Sequence, residues 1–450
     1  MNKIQRRALI ILALVAFLAL GAAYFLIILE TDGEGWAAFA SNTHTHTNGI
    51  LTSGQVRDRN GVLLLSTDEE GNRVYSDDYS IRMATLHAVG DPAGNIGGSA
   101  TSIFERQLMG YNMVNGVYSF SGKGRDVYLT IDAELNKVAW NALGGRQGCV
   151  AVMDYTTGEL VVMVSSPGFE PNSPPDNVSY LNRFLSGVYP PGSTFKILTA
   201  QAALENIENL DTFSYTCTGS AEYEDGTITC QYAHGELTFY DALAVSCNCC
   251  FAALAQQLTG ETLAEYADKA GLTEADFDVN GYTPATGSFD IAAVGSMNLG
   301  WSGVGQYHDL VNPCSMLRYI SAIANGGKAV EPTLLAKVTS TGGIPLWFDL
   351  FHNKDRIMKS DIANELKEMM AYCVRENYGV ESFPGLPVCA KSGTAEVESG
   401  AAPHAWFTGF LNSEEHPYAF IVLVENGGAG SSVAGSVANT VLQAVVAADE

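Results

Sequence analysis

The sequence predicts an α+β fold in which an antiparallel sheet lies beside a helical lobe. Apolar, strand-like runs occur at 149–164 and at 387–425, and a long stretch with helical patterning, roughly 193–380, separates them. Strands at both ends of a domain with helices grouped between them are typical of this class. The chain has 450 residues and a hydrophobic fraction of 47%, enough for at least one large core.

The first element is an apolar helix. Residues 8–29 carry no charge, and such a run is long enough to cross a bilayer. Lys3, Arg6 and Arg7 precede it, which favours a cytoplasmic N-terminus and an extracellular remainder. A cleaved signal peptide would have a shorter apolar region, about 7–15 residues. The small-residue site at 38–40 lies far beyond the apolar run, so residues 1–30 are predicted to form an uncleaved, single-pass anchor.

Residues 31–123 are predicted to form a linker and a small β-rich module. The chain is polar up to Ser53, and from residue 54 it contains short alternating runs such as 62–65, with one possible helix at 102–109. No convergent set of catalytic side chains is present in this segment.

The remaining domain, 124–450, has clearer patterning. A helix is predicted at 133–143, followed by a β-hairpin whose strands are 149–154 and 159–164. Strands are predicted at 387–396, 404–411 and 417–425, and a final helix at 432–447. The site is expected where the helical lobe meets the edge of the sheet.

Ser193 and Lys196 are the first candidate catalytic residues. Pro190, Pro191 and Gly192 precede them and an apolar, helix-forming run follows, so Ser193 is expected near a helix N-terminus. Residues three apart share one helix face, which brings the lysine amine to the serine hydroxyl. Serine needs an adjacent base, and lysine can act as one only when burial or another cation lowers its pKa.

Two further motifs strengthen this interpretation. Ser246 and Asn248 place a hydroxyl and a carboxamide together after an apolar helix, where one can relay a proton and the other bind a peptide. Ser296 and Asn298 share the same spacing, but no helix leads into them. In the strand-like run that contains Lys391, Ser392, Gly393 and Thr394, the two hydroxyls face one side and the lysine can help them bind a carboxylate. The glycine is expected to admit a ligand or another backbone.

Net charge and cysteines limit the other possibilities. The net charge of −25 argues against nucleic acid as a partner. Nine cysteines cannot all pair within one chain, although Cys217 and Cys230 flank a turn and could bridge a hairpin. The Cys247, Cys249 and Cys250 cluster, taken with His234, lacks the usual zinc spacing, so no metal is predicted.

In this order, the three motifs resemble the S-x-x-K, S-x-N and K-[ST]-G set of penicillin-recognising serine enzymes. The chain resembles a class B penicillin-binding protein over nearly all of residues 54–450. Shorter stretches that carry the same resemblance lie at 54–61, 129–132, 157–160, 165–172, 324–327 and 405–409. Two departures are Ser53, where the family usually has Arg, and the cysteines around Ser246.

The resemblance implies a membrane-anchored peptidoglycan D,D-transpeptidase with the penicillin-recognising fold, whose N-terminal module is a pedestal. Ser193 would be the nucleophile, Lys196 its base and Ser246 a proton relay. The backbone N–H groups of Ser193 and Thr394 would form the oxyanion hole. Substrate would be bound by Asn248, Lys391, Ser392, Gly393 and Thr394. The implied ligands are stem peptides and β-lactams, the implied partner is a polytopic glycosyltransferase, and no cofactor is needed.

Three alternatives use the same residues differently. A D,D-carboxypeptidase would accept water instead of an amine, and a β-lactamase would need a deacylating base. A scaffold with an inactive site would not need the complete set of polar groups. The sequence does not distinguish among elongation, division and sporulation.

Overall fold

The computed structural model describes residues 3–37, 46–47, 50–51, 53–109, 124–177, 179–340, 343–348, 354–397 and 400–449. The first helix is Lys3–Ala37, and its segment Gln5–Ile28 has a mean hydropathy of 2.8 and no buried residues. This apolar helix fits the predicted membrane anchor. The alternative cleavage site at 38–40, and most of the predicted linker, lie outside the described residues.

A five-stranded antiparallel sheet, called the central sheet below, forms the middle of the molecule. Its strands, in spatial order, are Val388–Ala395, His404–Leu411, Tyr418–Val424, Gly148–Asp154 and Leu160–Ser166. The predicted hairpin and the three predicted C-terminal strands are confirmed within one or two residues. Val388–Ala395 is an edge strand, and this edge faces the helical lobe.

Alternate residues of the central sheet enter two different cores. Val150 and Val152 pack with the helices Ala133–Leu143 and Gly435–Asp449 on one face. Cys149 and Ala151, on the other face, pack against the helical lobe. The segment Gly430–Asp449 is long and apolar enough to cross a membrane, but its buried face identifies it as part of the core. The helix at 133–143 is confirmed, and the last helix starts three residues later than predicted because 430–434 form a π-helical turn.

The segment 193–380, predicted to be a long helical stretch, contains in its described part seven α-helices and also eight short strands that were not predicted. Its helices are Lys196–Asn206, Phe239–Ala244, Asn248–Leu258, Gly260–Lys269, Met297–Val304, Pro313–Ala324 and Ser360–Cys373. Short strands occur at Tyr215–Cys217, Ser220–Tyr223, Gly226–Thr229, Gly235–Leu237, Lys328–Val330, Leu335–Thr339, Pro345–Phe348 and Lys354–Arg356. Their small lengths, three to five residues each, leave too little alternation for a strand pattern to emerge.

The N-terminal module is built around a second sheet of six strands. Its spatial order is Pro345–Phe348, Leu335–Thr339, Asp126–Leu129, Val56–Arg57, Leu63–Thr67 and Arg73–Tyr75. Strands from both sides of residue 124 therefore share one sheet. The module also contains the helices Tyr79–Val89, Ala100–Ile103 and Glu105–Leu108. The single helix predicted at 102–109 is wrong, because the chain leaves helical geometry at Phe104. A separate pair of short strands is His46–Thr47 and Ile50–Leu51.

Candidate active site

Ser193 lies in a single 3-10 turn, Gly192–Thr194, that leads into the helix starting at Lys196. Gly192 has a left-handed φ of 53°, and its N–H donates to Gly305 O at 2.8 Å. Thr194 Oγ1 donates to Pro191 O at 2.8 Å. The prolines and glycine before Ser193 therefore produce a fixed turn, which holds the serine hydroxyl between the helical lobe and the edge of the central sheet.

Lys196 is completely buried, and its amine contacts four acceptors. Nζ lies 3.1 Å from Ser193 Oγ, 3.1 Å from Ser246 Oγ, 2.7 Å from Ser246 O and 2.8 Å from Asn248 Oδ1. The two shortest contacts are with oxygens that can only accept a hydrogen bond. A neutral amine satisfies both with its two N–H groups, which leaves its lone pair directed toward the hydroxyls.

The surroundings favour this neutral form. Burial, and in second place the positive charge of Lys391, lowers the pKa of Lys196 to about 7. Burial also lowers the pKa of Lys391 to about 8, because a charged amine loses its hydration there. Lys196 therefore has the lowered pKa that a lysine needs to act as a general base.

Ser246 is held between the two lysines. Its Oγ accepts a hydrogen bond from Lys391 Nζ at 3.0 Å and lies 3.1 Å from Lys196 Nζ. Its φ is 56°, a left-handed conformation that is unfavourable for serine and occurs mainly where the surroundings enforce it. The turn connects the helices Phe239–Ala244 and Asn248–Leu258. It holds Ser246 and Asn248 on the side that faces Lys196.

Asn248 and Ser392 are both oriented by neighbours. Asn248 Nδ2 donates to Thr229 O at 2.9 Å while its Oδ1 faces Lys196. The Ser392 N–H donates to the Tyr378 hydroxyl at 2.8 Å, and the two hydroxyls lie 3.0 Å apart. Thr394 is exposed on the same strand, two residues further along.

Gly393 admits another part of the backbone, one of the two alternatives that the sequence left open. A Cβ atom at this position would lie 2.8 Å from Pro191 O and 3.0 Å from Thr194 Cγ2. The missing side chain thus admits the turn that carries Ser193, and the close neighbour is another part of the chain instead of a ligand. Gly393 therefore contributes to the site by letting the turn that carries Ser193 pack closely against the edge strand Val388–Ala395.

These residues surround a cleft of about 600 Å³. Ser193, Ser246, Asn248, Ser392 and Thr394 line it, whereas Lys196 and Lys391 lie behind its wall. Seven of the eight predicted residues thus lie at or directly behind one surface, and Gly393 packs beneath it. The oxyanion hole from the N–H groups of Ser193 and Thr394 stays a prediction. Ser296 lies elsewhere and caps the helix Met297–Val304, its Oγ accepting the Leu299 N–H at 3.2 Å.

Two features of the site were missed in the sequence. Tyr378 ends a π-helical turn, Val374–Tyr378, and nothing in its local sequence predicts a contact with Ser392. The bridge that the sequence allowed between Cys217 and Cys230 is not formed: their sulfurs are 3.8 Å apart, well beyond the bond length of about 2.05 Å. They meet His234 and Cys247 instead.

Comparison with known proteins identifies the family. The family model described as the penicillin binding protein transpeptidase domain matches residues 148–443, more than half of the chain. The chain belongs to the penicillin-binding proteins. Its relatives place it in class B, as the sequence motifs predicted.

Named relatives and a solved structure resemble this penicillin-binding protein over most of its length. The peptidoglycan D,D-transpeptidase PbpA of Mycobacterium tuberculosis is 26% identical over 416 residues, covering 82% of this chain and 81% of the relative. The peptidoglycan D,D-transpeptidase MrdA of Escherichia coli is 26% identical over 384 residues, covering 72% and 58% respectively. A ceftriaxone acyl-enzyme complex of penicillin-binding protein A from M. tuberculosis has a TM-score of 0.76 at 22% identity, covering 88% of this chain and 98% of that one. The last likeness confirms the predicted fold.

Proposed function

We propose that this protein is a membrane-anchored peptidoglycan D,D-transpeptidase that works through an acyl-enzyme on Ser193. The observation that carries the proposal is the buried amine of Lys196, 3.1 Å from the hydroxyls of both Ser193 and Ser246. The names of the relatives support the substrate class: both are D,D-transpeptidases of peptidoglycan.

In the first half-reaction, Ser193 Oγ attacks the carbonyl carbon between two D-alanines of a stem peptide. Its proton passes to the neutral amine of Lys196. As the C–N bond breaks, a proton returns through Ser246 to the departing D-alanine nitrogen, so charge and protons balance. N–H groups of Ser193 and Thr394 would stabilise the oxyanion.

Substrate orientation is assigned to the opposite wall of the cleft. Ser392 and Thr394 would bind the terminal carboxylate, and the charge of Lys391 behind them would add attraction. Asn248 would hold the amide of the stem peptide. The Tyr378 contact fixes Ser392, so one hydroxyl is already oriented before substrate arrives.

In the second half-reaction, an amine of a neighbouring stem peptide attacks the ester carbonyl. Lys196 accepts the amine proton, and the Ser193 oxygen leaves and regains a proton. The product is a cross-link and the enzyme returns to its starting state. No redox step or electron carrier enters either half-reaction.

A hydrolase would use water in that second step. The carboxylate that lines the cleft, within the described part of the chain, is Glu396. A β-lactamase would need such a group to activate water, and it would release hydrolysed antibiotic quickly. A long-lived penicillin adduct that persists in wild type and in Glu396→Gln supports the transferase, and rapid turnover that is lost in Glu396→Gln supports a β-lactamase.

An N-terminal membrane anchor would hold this reaction at a membrane surface. The apolar helix fits a membrane anchor, and Lys3, Arg6 and Arg7 favour a cytoplasmic N-terminus with the enzyme domain outside. A polytopic membrane glycosyltransferase that supplies nascent glycan is the expected partner. Protease accessibility in intact spheroplasts tests the orientation: the catalytic domain should be digested from outside.

The decisive experiment is intact-mass analysis of the purified full chain after penicillin treatment. Wild type should gain one penicillin mass, and Ser193→Ala should gain none. Ser431→Ala, which changes another serine of the same cleft, is the matched control and should still be labelled. An adduct on Ser193→Ala would contradict the assignment of the nucleophile. Incubation with stem-peptide donor and acceptor then separates cross-linking from release of D-alanine by water.

A further inference from the structure

Three cysteines and a histidine form a compact cluster beside the cleft. One ligand atom from each of Cys217, Cys230, His234 and Cys247 lies within 4.8 Å of the others. Cys217 ends one short strand, Cys230 follows another and His234 precedes a third. Cys247 is the N-cap of the helix Asn248–Leu258. Four separate pieces of the chain therefore direct their side chains to one point.

The distances within this cluster match a tetrahedral metal site. The sulfurs of Cys217 and Cys230 are 3.8 Å apart, those of Cys230 and Cys247 are 3.7 Å apart, and Cys217 Sγ lies 3.4 Å from His234 Nδ1. Zinc bonds of about 2.3 Å to sulfur and 2.0–2.1 Å to nitrogen give tetrahedral edges of about 3.8 Å and 3.5 Å. These three separations are close to those of ligands that share a zinc ion, and the other three pairs lie within 4.8 Å.

Two backbone N–H groups point at sulfurs of this cluster. The Cys250 N–H donates to Cys247 Sγ at 3.4 Å, and the Cys249 N–H donates to Cys230 Sγ at 3.5 Å. Both N–H groups belong to the first turn of an eleven-residue helix, where the helix dipole stabilises negative charge. Hydrogen bonds to ligating atoms are the usual support of a metal centre.

We propose that Cys217, Cys230, His234 and Cys247 bind one zinc ion. Three thiolates and an imidazole are a ligand set that zinc prefers, and four protein ligands close the coordination sphere, as in structural sites. The spacing, with twelve residues between Cys217 and Cys230, three before His234 and twelve more before Cys247, differs from the paired spacing of common zinc motifs. The C-x-C-C run that contains Cys249 and Cys250 lacks zinc spacing, so the sequence predicted no metal here.

The proposed zinc site lies next to the turn that carries Ser246 and Asn248, so the ion would help to position them. Cys247 lies between Ser246 and Asn248, both of which contact Lys196. A zinc ion bound to Cys247 ties this strained turn to the hairpins of residues 215–237. The four ligands are positioning residues: they would hold the proton relay and the carboxamide without touching substrate.

The first test is metal content, which makes no use of the proposed activity. The full chain, purified in detergent under reducing conditions, should contain one zinc per chain by inductively coupled plasma mass spectrometry. Cys230→Ser and His234→Ala should lose it. Cys249→Ala, which removes an adjacent sulfur outside the four, is the matched control and should keep it.

A spectroscopic test does not depend on folding of the variants. Cobalt(II) exchanged into wild type should show the visible bands of a tetrahedral ion and the ultraviolet charge-transfer band of cobalt bound to thiolate. A protein without stoichiometric zinc that also gives no such bands overturns the proposal. So does a chain whose intact mass is lower by two hydrogens, since a disulfide would then occupy the sulfurs.

The positioning role has its own measurement. Removing zinc by chelation should slow acylation by penicillin about tenfold, the lower end of the effect usual for support around a metal, and added zinc should restore the rate. An unchanged rate in zinc-free protein would overturn this role and leave the metal site intact. Failure of Ser193 to acylate at all would instead contradict the proposed function.

Discussion

Lys196 and Lys391 are both fully buried, and the Nζ atoms of both lie within hydrogen-bond distance of the same atom, Ser246 Oγ, at 3.1 and 3.0 Å. Two charged amines this close repel each other, and burial removes the water that would screen them. Burial is the main cause of both lowered pKa values, about 7 for Lys196 and about 8 for Lys391, and the charge of Lys391 adds to the effect on Lys196. Between these two pH values the pair is expected to carry one positive charge.

The first prediction is a bell-shaped pH profile of acylation. Lys196 accepts a proton only when neutral, so the rate should rise with pH through about 7. It should fall as Lys391 loses its charge above a pKa of about 8, because the attraction for the carboxylate weakens. Stopped-flow kinetics with a chromogenic β-lactam measure both limbs. Lys196→Arg is the control: guanidinium stays protonated, so its rate should be about 10²–10⁴ lower with no rising limb. A flat wild-type profile would exclude Lys196 as the base.

The second prediction compares the two S-x-N sequences. Ser246→Ala removes the hydroxyl that bridges the two lysines and should slow acylation by about 10²-fold or more. Ser296→Ala removes a helix cap, which costs about 1 kcal/mol of stability and should leave acylation nearly unchanged. Acylation rates and thermal unfolding of both variants provide the comparison. Equal loss of acylation in the two variants would contradict the assignment of Ser246.

The third prediction concerns contact between the nucleophile turn and the edge strand. Gly393→Ala would place a methyl group 2.8 Å from Pro191 O, so the turn must move. Overpacking of this kind should lower the free energy of unfolding by about 1–3 kcal/mol, and acylation should fall further because Ser193 shifts. Gly435→Ala is the matched control, since its methyl group would meet Phe407 at an ordinary 3.6 Å. Denaturant unfolding and acylation rates together test this, and a Gly393→Ala protein with normal kinetics would refute it.

The fourth prediction concerns Tyr378. Tyr378→Phe leaves the Ser392 N–H without its partner and frees the Ser392 hydroxyl. We expect a loss of about 1 kcal/mol in stability and, if the same energy is lost in the transition state, acylation about fivefold slower. Tyr79→Phe, at an exposed tyrosine, is the control and should change neither quantity. An unaltered acylation rate in Tyr378→Phe would show that the Tyr378 hydroxyl is not needed to orient Ser392.

The sequence predicted those parts of the molecule whose signals are local. Asp132 caps the helix Ala133–Leu143 through the N–H groups of Glu134 and Leu135, and this helix appeared at its exact bounds. The long strands of the central sheet are apolar on both faces and flanked by turns, so their patterns are strong. Ser193, Ser246 and Lys391 were found because each lies in a short motif with a characteristic spacing.

What escaped prediction depends on contacts between distant segments. The helix Tyr79–Val89 is buried on most of its surface, so it lacks the amphipathic pattern that marks a helix. Cys217 and Cys247 meet only because two hairpins fold back on the helix start at Asn248. Tyr378 reaches Ser392 across fourteen residues and a change from helix to strand. These contacts join segments that no short sequence motif relates, so motif spacing did not predict them.

The six-stranded sheet of the N-terminal module has a practical consequence for producing the protein. Val56 pairs in parallel with Val127, and Asp126–Leu129 pairs on its other side with Leu335–Thr339. A recombinant fragment that starts at residue 124 would strip the first of these partners away and present an unpaired strand edge, a known route to aggregation. A fragment for crystallisation should therefore begin at Ser53. A chimaera that exchanges the N-terminal module between relatives should also include the strand Asp126–Leu129.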